Sequence, residues 1–305
     1  MGSEMCIRDR RVIGYYVPQI IGGAIVAIVI WTQGKKFINL KYWKYGLAFS
    51  LPLIPEALSI QIMNQSDKIM IQKMISNEAA GIFALATTIS FIIWILEDSV
   101  WNAWIPWLYA KISQGEEKEV AKPWTSVMHM FGILSWVIVM LAPEAIAILG
   151  PAKYRPAVWL IAPMVSGTLF RFYSYSYSAL QNYYKRTQYV AAGTIGTMVL
   201  NVILNYVCIL NFGYMAAAYT TAFSYIILLL VQGILEHKIT GMVIVPLRKT
   251  LLIAVVYGAI NLLSMNLYKT AWYFRYAVLI LVVVAAAIAL RKQMAAVLKM
   301  FKKRK

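Results

Sequence analysis

Nine mostly apolar stretches, each long enough to cross a bilayer as a helix, limit the fold of this chain more than any other feature. About 20 such residues are needed to span the hydrocarbon core. The stretches cover residues 12–31, 46–74, 80–110, 124–149, 156–181, 187–211, 214–236, 249–268 and 272–291. In lipid every backbone N–H and C=O must find a partner within the protein, so only helices and closed barrels cross it. Barrel strands would read as about ten residues of alternating polarity, and these runs do not alternate. The expected fold class is all-α integral membrane, with about nine transmembrane helices. Composition supports this, because 61% of the residues are hydrophobic and 13% charged, against about 45–50% and about 25% in soluble domains. So few charges cannot cover a soluble surface of this size.

The connections are short, which makes neighbouring helices antiparallel. The longest polar stretch, 109–123, contains Gln114, Gly115, Glu116, Glu117, Lys118 and Glu119 and suits a short interfacial helix. No gap is long enough to hold a soluble domain. A net charge of +17 suits nucleic acid, an anionic ligand or a membrane surface; its distribution favours the membrane. Nineteen of the 29 Lys and Arg residues fall in one alternate set of gaps, including Lys41, Lys44, Lys111, Lys118, Lys122, Lys185, Arg186 and the tail Lys299–Lys305, and six in the other set. By the positive-inside rule the C-terminus is cytoplasmic and residue 12 lies outside. Residues 292–305 form a basic cytoplasmic tail. Residues 1–10 are polar, match nothing that follows, and read as a non-native scar. Cys6 and Cys208 form no disulfide framework, no metal-ligand spacing is present, and Cys208 reads as a small packing residue.

Several short runs carry a family resemblance. They are Leu51-Pro52-Leu53-Ile54-Pro55, then Asn64-Gln65-Ser66-Asp67-Lys68-Ile69-Met70-Ile71, then Ala79-Ala80-Gly81-Ile82-Phe83-Ala84-Leu85-Ala86, and finally Leu200-Asn201-Val202-Ile203-Leu204-Asn205-Tyr206 followed by Asn211-Phe212-Gly213-Tyr214-Met215-Ala216-Ala217-Ala218. Their order resembles the C-terminal half of the polysaccharide and lipid-linked oligosaccharide flippases of the multidrug/oligosaccharidyl-lipid/polysaccharide (MOP) superfamily, which also holds the MATE exporters. Met215-Ala216 stands where the family usually has a second glycine, and the usual proline is missing from Cys208-Ile209-Leu210-Asn211. The resemblance implies two six-helix bundles facing a cavity, with two more helices at the C-terminus. On that template 11–31 is the last helix of a truncated first bundle, 46–236 the second bundle, and 249–291 the extra pair. It implies a bacterial cytoplasmic-membrane protein that flips an undecaprenyl-pyrophosphate-linked oligosaccharide for O-antigen, capsule or exopolysaccharide synthesis by alternating access. The implied partners are the lipid-linked glycan, membrane lipids, and a polysaccharide polymerase and glycosyltransferases, with no nucleic acid. No nucleotide-binding motif is present and no cofactor is called for, so energy would come from a proton or sodium gradient or from the substrate's own gradient.

Charged residues inside spans are the candidates for the substrate path, because each costs at least about 2.5–3.5 kcal/mol to insert. They are Glu56, Asp67, Lys68, Glu97, Asp98 and Arg171. Arg171, with its planar fork of donors, suits phosphate oxygens, and Lys68 is the candidate to share that role. Glu97, Asp98 and Asp67 suit sugar hydroxyls or a coupling cation. The alternative is that these charges pair with one another and fix helix packing, or that Asp67 and Lys68 snorkel from a helix end. Glu97 and Asp98 project about 100° apart and cannot share one ligand closely. Pro52 and Pro55 are hinge candidates, or only mark a helix start. Tyr173, Tyr175 and Tyr177 fit an interfacial belt better than a sugar platform. Trp94, Trp101, Trp104 and Trp107 read as a packing or lipid face, and His129 as interfacial. A MATE-type cation exporter, and a membrane glycan polymerase or acyltransferase, are the competing functions. The expectation is a transporter, not an enzyme.

Overall fold

The computed structural model describes residues 2–34, 40–51, 53–241 and 244–302. Among them no strand occurs. The chain divides into two compact units, Met1–Leu51 and Pro52–Lys305. The first contains α1 (Gly2–Gly34) and α2 (Leu40–Ser50). α1 runs through the polar segment 2–10 without a break. Tyr16–Gly34 in α1 is long and apolar enough to cross a membrane.

The second unit holds α3 (Leu53–Met74), α4 (Asn77–Ser113), α5 (Ala121–Met140), α6 (Ala142–Leu149), α7 (Val158–Tyr183), α8 (Thr187–Phe212), α9 (Ala216–Thr240), α10 (Leu247–Ser264) and α11 (Trp272–Lys302). Local chemistry sets the boundaries. Ser76 caps α4, its hydroxyl accepting from the Ala79 N–H at 3.1 Å, as a serine just ahead of a helix does. Pro143 cannot donate a backbone hydrogen bond, and the stretch expected as one span over 124–149 divides at Leu141 into α5 and the short α6. α8 ends at Gly213, whose φ of +78° suits glycine. Glu117–Glu119 in the longest polar gap forms a single 3-10 turn.

Among the described residues seven stretches are membrane-spanning by length and composition: those in α1, α4, α8 and α9, together with Leu40–Met74, Glu117–Met140 and Leu247–Lys269. In α11 the apolar part is Trp272–Ile288. α7 has 26 residues and so has the length, but it is too polar to join them. The reason is its position. α7 packs against α9, α4, α10, α5 and α8, and burial on so many sides leaves little of it for lipid. A helix surrounded by protein need not be apolar all round, whereas α8 turns Val199, Ile203, Val207 and Leu210 outward. Between helices already in lipid, association depends on close packing and polar contacts, not on further removal from water. Gly167 of α7 illustrates the closeness: a methyl added there would sit 3.1 Å from the Cα of Ala222 in α9.

Polar bridges complete this packing. Asn261 of α10 donates to Ser135 of α5 and Ser166 of α7, both at 3.2 Å. Trp136 donates to Ser264 at 2.8 Å. The Arg275 guanidinium of α11 pairs with Glu144 of α6. The tryptophans expected as a packing or lipid face separate: Trp101 and Trp104 are buried with Trp124, Phe131 and Phe172 in an aromatic core, while Trp94 is 38% exposed.

Candidate functional site

The site is built from four helices of the second unit. α3, α4, α7 and α9 line a partly open cavity of about 410 Å³. α3 contributes Gln61, Asn64, Gln65 and Lys68, which recur at i, i+3, i+4 and i+7 and therefore share one helical face. α4 contributes Thr87, Ser90, Phe91 and Trp94, α7 contributes Thr168 and Arg171, and α9 contributes Thr221 and Tyr225. The wall is mixed, with apolar surface interrupted by amides, hydroxyls, two cations and the Asp67 carboxylate.

Arg171 is 5% exposed and Glu97 1%. Their side chains form an ion pair across α7 and α4, Nη2 to Oε2 at 3.1 Å. Nη1 of Arg171 donates to the Tyr175 hydroxyl at 3.2 Å. The guanidinium carbon also lies 5.4 Å from the Tyr175 ring centre and 5.8 Å from that of Trp94, within cation–π range. Arg171 thus reaches the cavity with part of its fork already engaged. The other Glu97 oxygen, Oε1, is buried with no hydrogen-bond partner among the described residues, and so are the indole N–H groups of Trp101, Trp104 and Trp124.

Asp67 organises a second polar cluster. It is 4% exposed. Asn205 donates to its Oδ1 at 2.5 Å, and Thr221 to its Oδ2 at 2.8 Å. Asn205 also donates to Asn201 at 3.1 Å and accepts from Thr220, while Asn201 donates to Thr221 and Ser224. α3, α8 and α9 therefore meet at a buried carboxylate surrounded by amide and hydroxyl groups. Both carboxylate oxygens accept a hydrogen bond, one from an amide N–H and one from a hydroxyl. The family-like runs around Asn64 and Asn201 contain Asp67, Asn201 and Asn205, but nothing in the sequence alone ties Asp67 to a helix 138 positions away.

The six charged candidates separate. Arg171, Asp67 and Lys68 line the cavity, and Glu97 lies behind Arg171. Lys68 is half-buried and makes no ion pair among the described residues. Asp98 is exposed on the other side of α4, accepting weakly from Asn102 at 3.4 Å. Glu56 is half-buried near the start of α3 and does not line the cavity. Pro55 sits in the first turn of α3, where its missing N–H costs nothing, and Ser59 donates to its carbonyl at 2.7 Å. Pro52 lies outside the described residues.

The belt expected of the tyrosines is corrected. Tyr173 and Tyr177 are fully buried, donating respectively to the Met128 carbonyl at 2.6 Å and to Thr250 at 3.0 Å, and Tyr175 serves Arg171. They pin the central helix to its neighbours. His129 is half-buried, its Nδ1 3.2 Å from the Tyr257 hydroxyl.

Membrane-length helices around a cavity lined by charged and polar side chains define a multi-pass membrane protein. Residues 11–112 match the family model described as polysaccharide biosynthesis protein. The match covers about a third of the chain and supports, at a coarse level, a membrane protein related to polysaccharide synthesis. The chain matches no curated protein and no solved structure.

Proposed function

We propose that the chain moves a pyrophosphate-linked oligosaccharide on an undecaprenyl carrier across the bacterial cytoplasmic membrane by alternating access. The observation that carries this reading is the cavity itself: Lys68 and Arg171 place two cations on its wall against the single carboxylate of Asp67, among amides and hydroxyls, in a helical body that elsewhere turns apolar side chains outward. A pyrophosphate would meet the Lys68 ammonium and the open part of the Arg171 guanidinium, both strong donors to phosphate oxygens. Asp67, within its Asn201–Asn205–Thr220–Thr221 setting, is where a coupling sodium ion or proton would act. The C-terminus is cytoplasmic in this scheme, by the lysine and arginine distribution. The ligand crosses without covalent change, and a polymerase and glycosyltransferases would act before and after it.

Lys68 is a cleaner test than Arg171, because removing Arg171 strands the Glu97 carboxylate in a buried site. Lys68→Gln is expected to insert at the normal level and to lose most surface polysaccharide in cells that depend on this protein. Normal polysaccharide with Lys68→Gln would remove Lys68 from the path.

A further inference from the structure

We infer that Trp94, backed by Phe91, is the sugar-stacking surface of the cavity, which it lines together with amides on α3 that receive the sugar hydroxyls. This rests on the flippase reading and adds to it a subsite for a pyranose ring beside the anion-binding cations.

The first reason is the depth of Trp94. It lies 17 residues after Asn77 and 19 before Ser113, roughly 25 Å or more from either end at about 1.5 Å per residue. Tryptophans of an interfacial belt sit near span ends, where the indole N–H meets water. Trp94 is far from both ends and yet 38% exposed. A hydrocarbon setting would leave its N–H without a partner; a polar cavity would not.

The second reason is the way the ring is held. Phe91, one turn earlier, packs against it with centroids 4.5 Å apart, and the Arg171 guanidinium lies 5.8 Å from its centre. The indole is fixed on the cavity wall while part of it remains open. A flat, partly exposed aromatic surface suits the C–H face of a pyranose, and tryptophan offers the largest such surface of any side chain.

The third reason is the chemistry of the α3 wall. Gln61 and Gln65 are exposed on the cavity face of α3 and make no side-chain hydrogen bond among the described residues. Asn64, between them, accepts from the Tyr225 hydroxyl at 3.3 Å and keeps its amide donors available. Each amide can donate and accept at once, which a sugar hydroxyl also does. Lys68, one turn further along the same face, supplies the charge for the phosphate next to the first sugar. An anion site alone would require neither the open indole nor the row of amides.

The test measures binding of two probes to the purified full chain in detergent micelles. One is geranyl-pyrophosphoryl-N-acetylglucosamine; the other is geranyl pyrophosphate without sugar. Wild type is expected to bind the sugar-bearing probe more tightly. Trp94→Ala should weaken that probe about tenfold, equivalent to about 1.4 kcal/mol, and leave the sugar-free probe unchanged, while Trp94→Phe should restore most of the loss. Equal wild-type affinity for both probes would overturn the sugar subsite and leave the anion reading standing. Equal losses of both probes in Trp94→Ala would also overturn it, because Trp94 would then act only by holding Arg171. Failure of wild type to bind either probe would overturn the flippase reading and the subsite with it.

Discussion

Removing either partner of the Arg171–Glu97 pair should destabilise the second unit far more than removing both. The charges sit 3.1 Å apart, and at an effective dielectric of about 20 their attraction is about 5 kcal/mol. Taking each ion out of water costs several kcal/mol, so the intact pair contributes little net stability. Deleting one partner leaves the other charge uncompensated. Glu97→Met leaves a guanidinium with only the Tyr175 hydroxyl as hydrogen-bond partner among the described residues, and Arg171→Met leaves a carboxylate whose Oε1 already lacks one. Each single change should cost about 3–5 kcal/mol, and the double change should fall within about 2 kcal/mol of wild type. The coupling energy is then at least about 4 kcal/mol. It can be read from unfolding of the purified protein in mixed micelles of rising dodecyl sulfate content, followed by circular dichroism. Additive single effects, with coupling under about 0.5 kcal/mol, would refute the view that the two charges are held as a buried unit.

Two further outcomes follow from the packing. Asn205→Leu removes the donor to Asp67 Oδ1 and the acceptor of Thr220, and should lower stability by about 1–3 kcal/mol in the same unfolding assay; Asn205→Asp, which puts a second carboxylate beside Asp67, should be worse. Gly132→Ala would place a methyl 2.5 Å from the Tyr257 ring, forcing α5 and α10 apart or the ring away from His129. A loss of about 1–3 kcal/mol is expected for such overpacking, and recovery in Gly132→Ala with Tyr257→Leu would confirm the contact.

The spans are legible because lipid imposes one rule on every residue that faces it: twenty apolar positions leave a plain trace in the sequence. The same rule hides the character of α7. Its serines, tyrosines and Arg171 fit a helix covered by protein, and coverage by protein is not visible from one stretch of sequence. The position of its tyrosines near the inner end suggests the lipid–water boundary, but the hydroxyls of Tyr173 and Tyr177 reach Met128 and Thr250 on neighbouring helices. Glu97 and Asp98 divide as 100° of helical rotation requires, one inward and one outward. What the rotation does not reveal is that Glu97 meets Arg171, 74 positions away, because a pairing across helices depends on their register. The polar face Gln61–Asn64–Gln65–Lys68 is different, since its spacing of three, four and seven residues is itself a property of the sequence.

The account depends on the cavity between α3, α4, α7 and α9 holding water in the membrane. Single cysteines can test this directly in a background where Cys6 and Cys208 are replaced by alanine, using a charged, membrane-impermeant thiosulfonate applied to both faces of the membrane. Gln65→Cys, on the cavity face, should react readily and be protected by geranyl-pyrophosphoryl-N-acetylglucosamine, while Ile203→Cys, 56% exposed on the outer face of α8, should stay unlabelled. An unreactive Gln65→Cys, with both positions equally silent, would place the cavity in oil and contradict the transport pathway.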